Sequence, residues 1–234
     1  MSKLRCHISI SLDGFVAGPN QSEENPLGEG GMRLHDWAFP LAAWREPHRQ
    51  QGGKVNQSSR IMEETLENVG AGVMGRNMFG PVGGGDWRDG RWKGWWGDNP
   101  PYHHDVFILT HYPRDPVEME GGTTYHFVTD GIERALELAR ESAAGRDVRL
   151  WGGAGAIQQY LAAGLLDELE LHVVPVLLGD GERLFDNLGD AEPQLEQIRA
   201  VEAPGVAHLK YGVRAPTADP RAAAFAAVAD RYRG

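Results

Sequence analysis

The sequence predicts an α/β fold: a three-layer, mostly parallel mixed sheet of about eight strands, with flanking helices and a C-terminal antiparallel hairpin. Apolar runs of strand length alternate with segments of helical periodicity from residue 5 to residue 178. Two strand-like runs then follow at 194–203 and 206–213, joined by Pro204-Gly205 in the manner of a hairpin. No linker divides the chain, so we expect one domain over 1–214.

The first half of the chain combines short strands with long loops. Strands are expected where an apolar run is bounded by turn residues, and helices where apolar residues recur at a spacing of three or four. The predicted elements are a strand at 5–11, a loop at 18–35, a short helix ending at Pro47, a helix from Ser58 or Ser59 to Val69, a strand at 71–75 and a Gly- and Trp-rich excursion at 80–104.

The second half alternates strands and helices more regularly. The run at 105–110 has no polar alternation, which indicates a strand covered on both faces. Gly164 suits the C-terminal end of one helix, and Asp219 and Pro220 suit the start of a helix in the tail, 215–234. The predicted elements are strands at 105–110, 123–128, 147–151 and 166–178 and helices at 131–145 and 156–164.

Composition narrows the function. The 234 residues carry a formal net charge of −10, which argues against a protein that binds nucleic acids or membrane surfaces. The single cysteine, Cys6, excludes a disulfide framework and a thiolate metal cluster. The N-terminus has no apolar run of signal-peptide length, and no stretch approaches the ~20 apolar residues of a membrane helix. We therefore expect a soluble cytoplasmic protein.

The stretch LWGGAGAIQQYL, 150–161, carries the main functional signal. A strand delivers Gly152-Gly153-Ala154-Gly155 to the start of a helix, where free N–H groups favour an anion and glycine lets a pyrophosphate touch the backbone. The usual dinucleotide fingerprint is not met, because Gln158 stands where its third glycine belongs. From the turn alone, a bound ligand and a simple tight turn remain equally open.

Two further strand ends favour the ligand. Gly75 ends one predicted strand and is followed at once by Arg76, whose guanidinium suits a phosphate. Thr110 and His111 end another strand, with Arg114 close behind. Ligands of open α/β sheets bind at the carboxyl ends of strands, so one extended anionic ligand could span all three turns. Arg76 as a surface ion pair is the alternative.

Several motifs together resemble the dihydrofolate reductase-like superfamily, in particular the bacterial branch similar to the riboflavin-biosynthesis reductase C-terminal domain. The resemblance covers most of residues 4–214, with the motifs in the family's order. It is carried by SLDGFVA (11–17), GVMGRNMF (72–79), VFILTHYPR (106–114), the segment LWGGAGAIQQYL through ERLF (150–185) and the closing hairpin.

The resemblance implies an NADPH-dependent reductase. It places the adenosine-side phosphates at the strand end of Gly75 and Arg76. There Arg76 would bind the 2′-phosphate and so favour NADPH over NADH. It places the nicotinamide beside the turn of SLDGF. The residues it assigns to the cofactor are Gly75, Arg76, Asn77, Thr110, His111, Gly152, Gly153, Ala154, Gly155 and Ala156.

The substrate side is less defined. Asp13 is our candidate for substrate binding or proton relay, with ordinary Asp-Gly turn chemistry as the alternative. Phe15, His35 and Trp37 are candidates for a substrate wall, although Trp37 also suits core or lid packing. The family's pocket carboxylate has no clear counterpart, since the glutamates of the helix before GVMGR fit a solvated face. The resemblance implies that the acceptor is a C=N or C=O group of a small, pterin- or aminopyrimidine-like heterocycle.

Other features leave alternatives open. The Trp-rich loop at 86–98 could cover a substrate or fold onto itself or a second copy, and we expect a homodimer in which the tail takes part. His103 and His104 point in opposite directions on an extended segment, so no metal site is expected. The competing functions are a non-catalytic nucleotide- or ligand-binding protein that keeps the cofactor cradle, and a purely structural homodimer.

Overall fold

The computed structural model describes residues 2–83, 87 and 91–214 of the chain. A nine-stranded mixed sheet forms its centre, in the order β10-β11-β8-β1-β7-β3-β4-β6-β5, and β2 and β9 pair separately. The strands are β1 (Leu4–Ser11), β2 (Phe15–Ala17), β3 (Val69–Gly75), β4 (Asp105–Leu109), β5 (Val117–Glu118), β6 (Thr124–Val128), β7 (Asp147–Gly152), β8 (Glu168–Val174), β9 (Glu182–Arg183), β10 (Gln194–Ala203) and β11 (Val206–Arg214).

Helices fill the connections between the strands. The α-helices are α1 (Ala42–Arg45), α2 (Gln57–Leu66), α3 (Arg76–Phe79), α4 (Ile132–Ala143) and α5 (Ala154–Ala162), and short 3₁₀ turns lie at Gly31–His35 and Glu120–Gly122. Helix α5 ends with Gly164 in the left-handed region at φ 64°. The N–H groups of Gly164 and Leu165 then donate to the carbonyls of Leu161 and Tyr160, which satisfies the last turn of the helix.

The mixed α/β fold predicted from the sequence is confirmed. Strands β8, β1, β7, β3, β4 and β6 run parallel, and the terminal hairpin of β10 and β11 adds to β8 in the antiparallel sense. The main sheet has nine strands rather than eight because the two-residue strand β5 pairs with β6 at the edge. Residues 215–234, where a helix is predicted, lie outside the described part of the chain.

Several predicted boundaries are wrong by a few residues. Helix α2 is capped by Asn56, not by Ser58 or Ser59, because the Asn56 side chain accepts from the Ser59 N–H while the Ser59 hydroxyl binds the Asn56 N–H. Strand β8 ends at Val174 rather than at 178, and Pro175, which has no N–H for a sheet hydrogen bond, follows directly. The helix α3, directly after Gly75, is not anticipated by the sequence.

One face of the sheet, here called the apolar face, lies beneath α4 and α5. Alternate residues of the central strands point to it and form the main core. The two helices are joined by the Tyr160 hydroxyl, which donates to the Ile132 carbonyl at 2.8 Å. The strand residues of this core include Leu4, Cys6, Ile10, Ala71, Val73, Phe107, Val148, Leu150, Leu169 and Leu171.

The opposite face, here called the polar face, lies beneath α2 and the two insertions. It carries two smaller apolar clusters, one around Trp37 over β8 and β11 and one around Phe79 over β3, β4 and β6. Between them the central strands present polar side chains, which contact α2 through Ser58, Thr65 and the Glu67 carbonyl. The two faces of one sheet therefore differ sharply in chemistry.

The insertions at 18–57 and 80–104 meet above the polar face. The rings of His48 and Trp96 lie 4.7 Å apart between centroids, and those of Trp44 and Trp96 lie 6.4 Å apart. The first insertion is folded tightly at its base, where a Cβ atom on Gly28 would lie 2.1 Å from the Gly18 carbonyl oxygen. Only glycine fits there, also because φ of Gly28 is 70°.

Candidate functional site

The carboxyl ends of the parallel strands share one rim of the sheet. Strands β7, β3 and β4 are direct neighbours, and Gly152 of β7 is in register with Met74 of β3. The three turns singled out in the sequence follow these strands and therefore lie side by side. They begin at Gly75, Thr110 and Gly152. The structure thus brings together the residues predicted to bind a phosphate-bearing ligand.

The turn between β7 and α5 forms an open cradle. Gly152 has φ 121°, the Gly152–Gly153 peptide is cis, and Gly153 caps the helix without a side chain. Among the residues that the structure describes, a Cβ atom built at Gly153 or Gly155 meets nothing within 4 Å outside its own turn. The backbone therefore borders free space on the outer side of this turn.

The amide groups of the cradle divide into two kinds. The N–H groups of Ala156 and Ile157 donate to the Gly153 carbonyl at 3.1 and 3.2 Å, so they already serve the helix. Ala156 instead contributes close packing, since its Cβ lies 3.4 Å from the position of a Cβ on Gly75. The N–H groups at the start of α5, with the positive end of the helix dipole, are those suited to an anion.

Arg76 begins α3 at the end of β3. Its guanidinium carbon lies 4.1 Å from the centre of the Trp87 ring, and Nη1 donates to the Pro81 carbonyl at 3.1 Å. The guanidinium of Arg114, which follows β4, lies 5.4 Å from the same ring and 5.0 Å from the ring of Phe127. Two arginines from neighbouring strand ends therefore share one indole ring.

The remaining predicted cofactor residues lie on the same rim. Asn77 and His111 are exposed. Thr110 is buried, and its hydroxyl accepts a hydrogen bond from the Tyr112 N–H at 3.1 Å, which holds the turn after β4. Thr110 therefore shapes this turn, while the two exposed side chains are accessible to a ligand.

Asp13 joins two loops at the end of β1. Its carboxylate accepts from the Ser11 hydroxyl at 2.5 Å and from the N–H groups of Leu178 and Gly179 at 3.1 and 2.8 Å. The hydrogen bond from Ser11 and those from the backbone lower the pKa of Asp13 to about 2. A carboxylate held ionised in this way anchors the loop after β8.

The three residues predicted as a substrate wall have different neighbours. Phe15, in β2, lies beneath the guanidinium of Arg183 at 4.9 Å. His35 stacks on Phe39, with ring centroids 6.1 Å apart, and burial lowers its pKa. Trp37 packs on the polar face of the sheet. These three side chains therefore have different immediate partners.

The polar face contains a buried ionic row that sequence reasoning missed. The Glu170 carboxylate lies 3.2 Å from His7 Nδ1 and 2.9 Å from Arg199, which also pairs with Glu64 on α2. Burial opposes ionisation of Glu170, but these partners outweigh it and lower its pKa to about 2. Burial lowers the pKa of His7 to about 4. The row is therefore an ionised carboxylate beside a neutral imidazole.

A second polar group adjoins this row. The Nδ1 atoms of His172 and His208 are 2.8 Å apart, and the Ser58 hydroxyl lies 2.9 Å from His208 Nε2. Alternation of polar residues along two strands, as in Arg5-x-His7-x-Ser9 and Glu168-x-Glu170-x-His172, was the available signal. Central strands of a parallel sheet are normally apolar on both faces, so this pattern marks an unusual polar interior.

The glutamates considered as a pocket carboxylate are exposed: Glu63 and Glu64 lie on α2, and Glu67 follows its last residue. The buried carboxylates of the polar face lie instead on β8, at Glu168 and Glu170. No helix within the described part of the chain is long and apolar enough to cross a membrane. Across the same residues, no three His, Cys, Asp or Glu side chains gather closely enough to hold a metal ion.

The Trp-rich loop folds onto its own chain where the structure describes it. The indole N–H groups of Trp87, Trp92 and Trp95 donate to the carbonyls of Tyr112, Phe79 and Met78 at 2.9 to 3.1 Å. Residues 84–86 and 88–90 lie outside the described residues. Three of the described indoles are thus engaged by backbone carbonyls beside α3 and β4, and the Trp96 indole N–H donates to the Tyr102 hydroxyl at 3.0 Å.

Comparison with solved structures supports the fold. A putative riboflavin biosynthesis protein from Shewanella sp. PV-4 is 20% identical, with 91% of this chain and 99% of that chain covered and a TM-score of 0.58. A pyrimidine reductase-like protein from Corynebacterium diphtheriae is 13% identical, with 92% and 93% covered and a TM-score of 0.52. RibD from Acinetobacter baumannii is 16% identical, with a TM-score of 0.51; the match covers 91% of this chain and 58% of RibD.

Sequence comparison assigns the family. The uncharacterized protein YyaP from Bacillus subtilis (strain 168) is 37% identical over 59 residues, which is 25% of this chain and 31% of that protein's length. The family model described as the RibD C-terminal domain matches residues 2–208. This confirms the resemblance noted from the sequence motifs: the chain belongs to the RibD C-terminal domain family.

Proposed function

We propose that the protein is an NADPH-dependent reductase that transfers a hydride to a C=N or C=O group of a small, pterin- or aminopyrimidine-like heterocycle. The observation that carries this proposal is the open cradle at Gly153 and Gly155, flanked on the same rim by the ends of β3 and β4. Such an arrangement suits one long ligand with several phosphates. Membership of the RibD C-terminal domain family supports it.

The cradle would hold the pyrophosphate. Gly153 and Gly155 let the phosphates approach the backbone, and the N–H groups at the start of α5 would donate to them. Arg76 and Arg114 would face the adenosine end, where a planar guanidinium can bind a terminal phosphate through two parallel hydrogen bonds. Asn77 and His111 border the same end of the rim.

NADPH would supply the hydride. The chain's own task is to hold the acceptor carbon within about 3–3.5 Å of the donor and to exclude water. Asp13 would maintain the nicotinamide end by anchoring Leu178 and Gly179, as its three hydrogen bonds do in the structure. Because its pKa is about 2, Asp13 would orient this loop and would not donate the proton.

The first test is Gly153→Val. A side chain at this position would occupy the place of the pyrophosphate, so we expect NADPH affinity measured by calorimetry to fall at least about 100-fold. The thermal midpoint should change little, because the Cβ position at Gly153 borders open space. Ala162→Val, on the exposed side of the same helix, is the matched control. Unchanged affinity in Gly153→Val would end the cradle assignment.

The second test concerns the 2′-phosphate. Arg76→Ala should weaken NADPH about 10- to 100-fold, as expected for loss of a charge-assisted hydrogen bond, and should weaken NADH much less. Arg60→Ala, at an exposed position of α2, provides the control. Equal losses for both dinucleotides would remove Arg76 from 2′-phosphate recognition while leaving the cradle in place.

A second candidate function is a non-catalytic protein that binds a nucleotide or another ligand through the same cradle. The exposure of Glu63, Glu64 and Glu67 favours it, since the segment before β3 then offers no buried acid for catalysis. The two candidates differ in turnover. Oxidation of NADPH by any member of a panel of pterins, quinones and carbonyl compounds would establish the reductase; tight binding of NADPH without oxidation would favour the binding protein.

A further inference from the structure

Trp37 occupies an unusual environment for a core tryptophan. Its side chain is 8% exposed and lies on the polar face of the sheet, not on the apolar face. The indole ring lies 4.9 Å from the ring of His172 and 5.1 Å from that of His208, and its Nε1–H donates to the Ser9 hydroxyl at 3.1 Å. A planar bicyclic ring thus contacts two imidazoles and one hydroxyl in addition to the apolar side chains of its cluster.

The floor beneath the indole is polar and built from four elements. Ser9 comes from β1, His172 from β8, His208 from β11 and Ser58 from α2, and each is 6% exposed or less. Burying polar groups costs free energy unless each finds a partner. Here they bond to one another and to the indole N–H. An apolar lining would have packed a structural tryptophan equally well without this cost.

The position of this floor places it close to the reaction proposed above. Ser9 lies two residues before Ser11, the last residue of β1, and His172 lies two residues before Val174, the last of β8. Two residues of a strand span about 6–7 Å. The indole therefore lies about 6–7 Å from the rim formed by the carboxyl ends of the strands, next to the turn assigned to the nicotinamide.

The segment that carries Trp37 packs outside the main core, on Val174 and Val206 of the sheet. It comes from the insertion at 18–57, and its buried contacts form a small cluster separate from the main core. Around Trp37 the backbone consists of a five-residue 3₁₀ turn and irregular turns. Segments with few buried apolar contacts open at a lower free energy than the central sheet. This segment can therefore move without unfolding the core.

We infer that Trp37 fills the substrate pocket of the protein, and that a bicyclic heteroaromatic ligand with a ring N–H takes its place when the segment around Trp37 opens. This inference rests on the proposed reductase function. The ligand ring would lie against His172 and His208, where the indole ring lies in the structure, and its N–H would donate to Ser9 as the indole N–H does. Closure over the polar floor keeps it dry when no ligand is bound.

The test uses the full chain labelled with 5-fluorotryptophan and followed by fluorine NMR. The Trp37 resonance is assigned with Trp37→Phe, and NADPH is then added, followed by lumazine as the bicyclic probe. We expect lumazine to move the Trp37 resonance. Trp37→Phe, which loses the hydrogen bond to Ser9, should bind lumazine about tenfold more tightly because the segment opens more easily. Leu195→Ala, on the exposed strand β10, should bind it as the unaltered chain does.

The outcomes separate this inference from the proposed function. If NADPH binds but lumazine leaves the Trp37 resonance unmoved, Trp37 is an ordinary packing residue and the inference is overturned, while the cofactor assignment stands. If lumazine moves Trp37 although NADPH does not bind, the pocket is supported and the cofactor assignment fails. Weaker lumazine binding by Trp37→Phe than by the unaltered chain would also overturn the inference.

Discussion

The apolar and polar faces of the sheet are made by alternate residues of the same strands. In β1, Leu4, Cys6 and Ile10 point into the core under α4 and α5, whereas His7 and Ser9 point to the other side. Strands β7 and β8 repeat this division with Leu150 against Arg149 and with Leu169 and Leu171 against Glu170 and His172. One strand thus serves two different interiors.

The difference between the two faces assigns stability to the apolar face and ligand chemistry to the polar face. Burial of apolar area is favourable in itself, so the apolar face is expected to supply most of the free energy of folding. Buried ion pairs on the polar face roughly break even against their desolvation cost. Perturbed titratable groups cluster at functional sites, which makes the polar face the candidate for ligand chemistry. Three predictions test this division, from the largest expected effect to the smallest.

The largest effect is expected on the apolar face. Leu150→Ala removes a side chain that is 0% exposed in the main core, so the free energy of unfolding measured in urea should fall by about 3–4 kcal/mol. Leu195→Ala, on the exposed strand β10, should cost less than about 0.5 kcal/mol. A loss below about 1 kcal/mol for Leu150→Ala would contradict the assignment of stability to this face.

A smaller effect is expected on the polar face. Glu170→Gln removes the carboxylate charge that pairs with Arg199 and lies beside His7. The free energy of unfolding at pH 7 should therefore fall by about 2–3 kcal/mol. Glu196→Gln breaks the exposed pair with Arg214 and should cost less than about 1 kcal/mol. Equal costs for the two variants would show that the buried row contributes no more than a surface pair.

The third effect depends on pH. Burial lowers the pKa of His208 to about 4 from its usual 6.5, so the unfolded chain takes up this proton first as the pH falls. The free energy of unfolding should therefore decrease between pH 6.5 and pH 4, by about 2 kcal/mol for His208 at pH 5. Urea titrations should show a shallower decrease in His208→Gln and the original one in His103→Gln, an exposed control. A flat profile would refute a neutral buried His208.

The elements that were predicted well are those whose sequence pattern reflects local physics. The strands around Val73, Ile108 and Leu150 are apolar runs, and α4 has clear helical spacing, so each could be located without tertiary information. The two-residue strands β5 and β9 could not, because they exist only through pairing with a partner strand. The short helix α3 likewise follows from how the chain leaves β3.

The candidate site divides in the same way. The glycines after β7 and the arginine after β3 were visible because a turn needs particular residue types. The partners of Asp13 were not visible, since Leu178 and Gly179 lie about 165 residues further along the chain. Trp37 was placed among the substrate residues, but its polar neighbours come from three strands and could not be read from local spacing.

The sequence by itself determined the alternation of strands and helices and the glycine turn that can accept an anion, because backbone conformation and hydrophobic periodicity are local properties. Only the tertiary structure decided that three strand ends form one rim and that Glu170, His7 and Arg199 meet. It also decided that an insertion places Trp37 over Ser9, His172 and His208. These contacts join residues far apart in the chain, and their energies depend on burial, which no local pattern specifies.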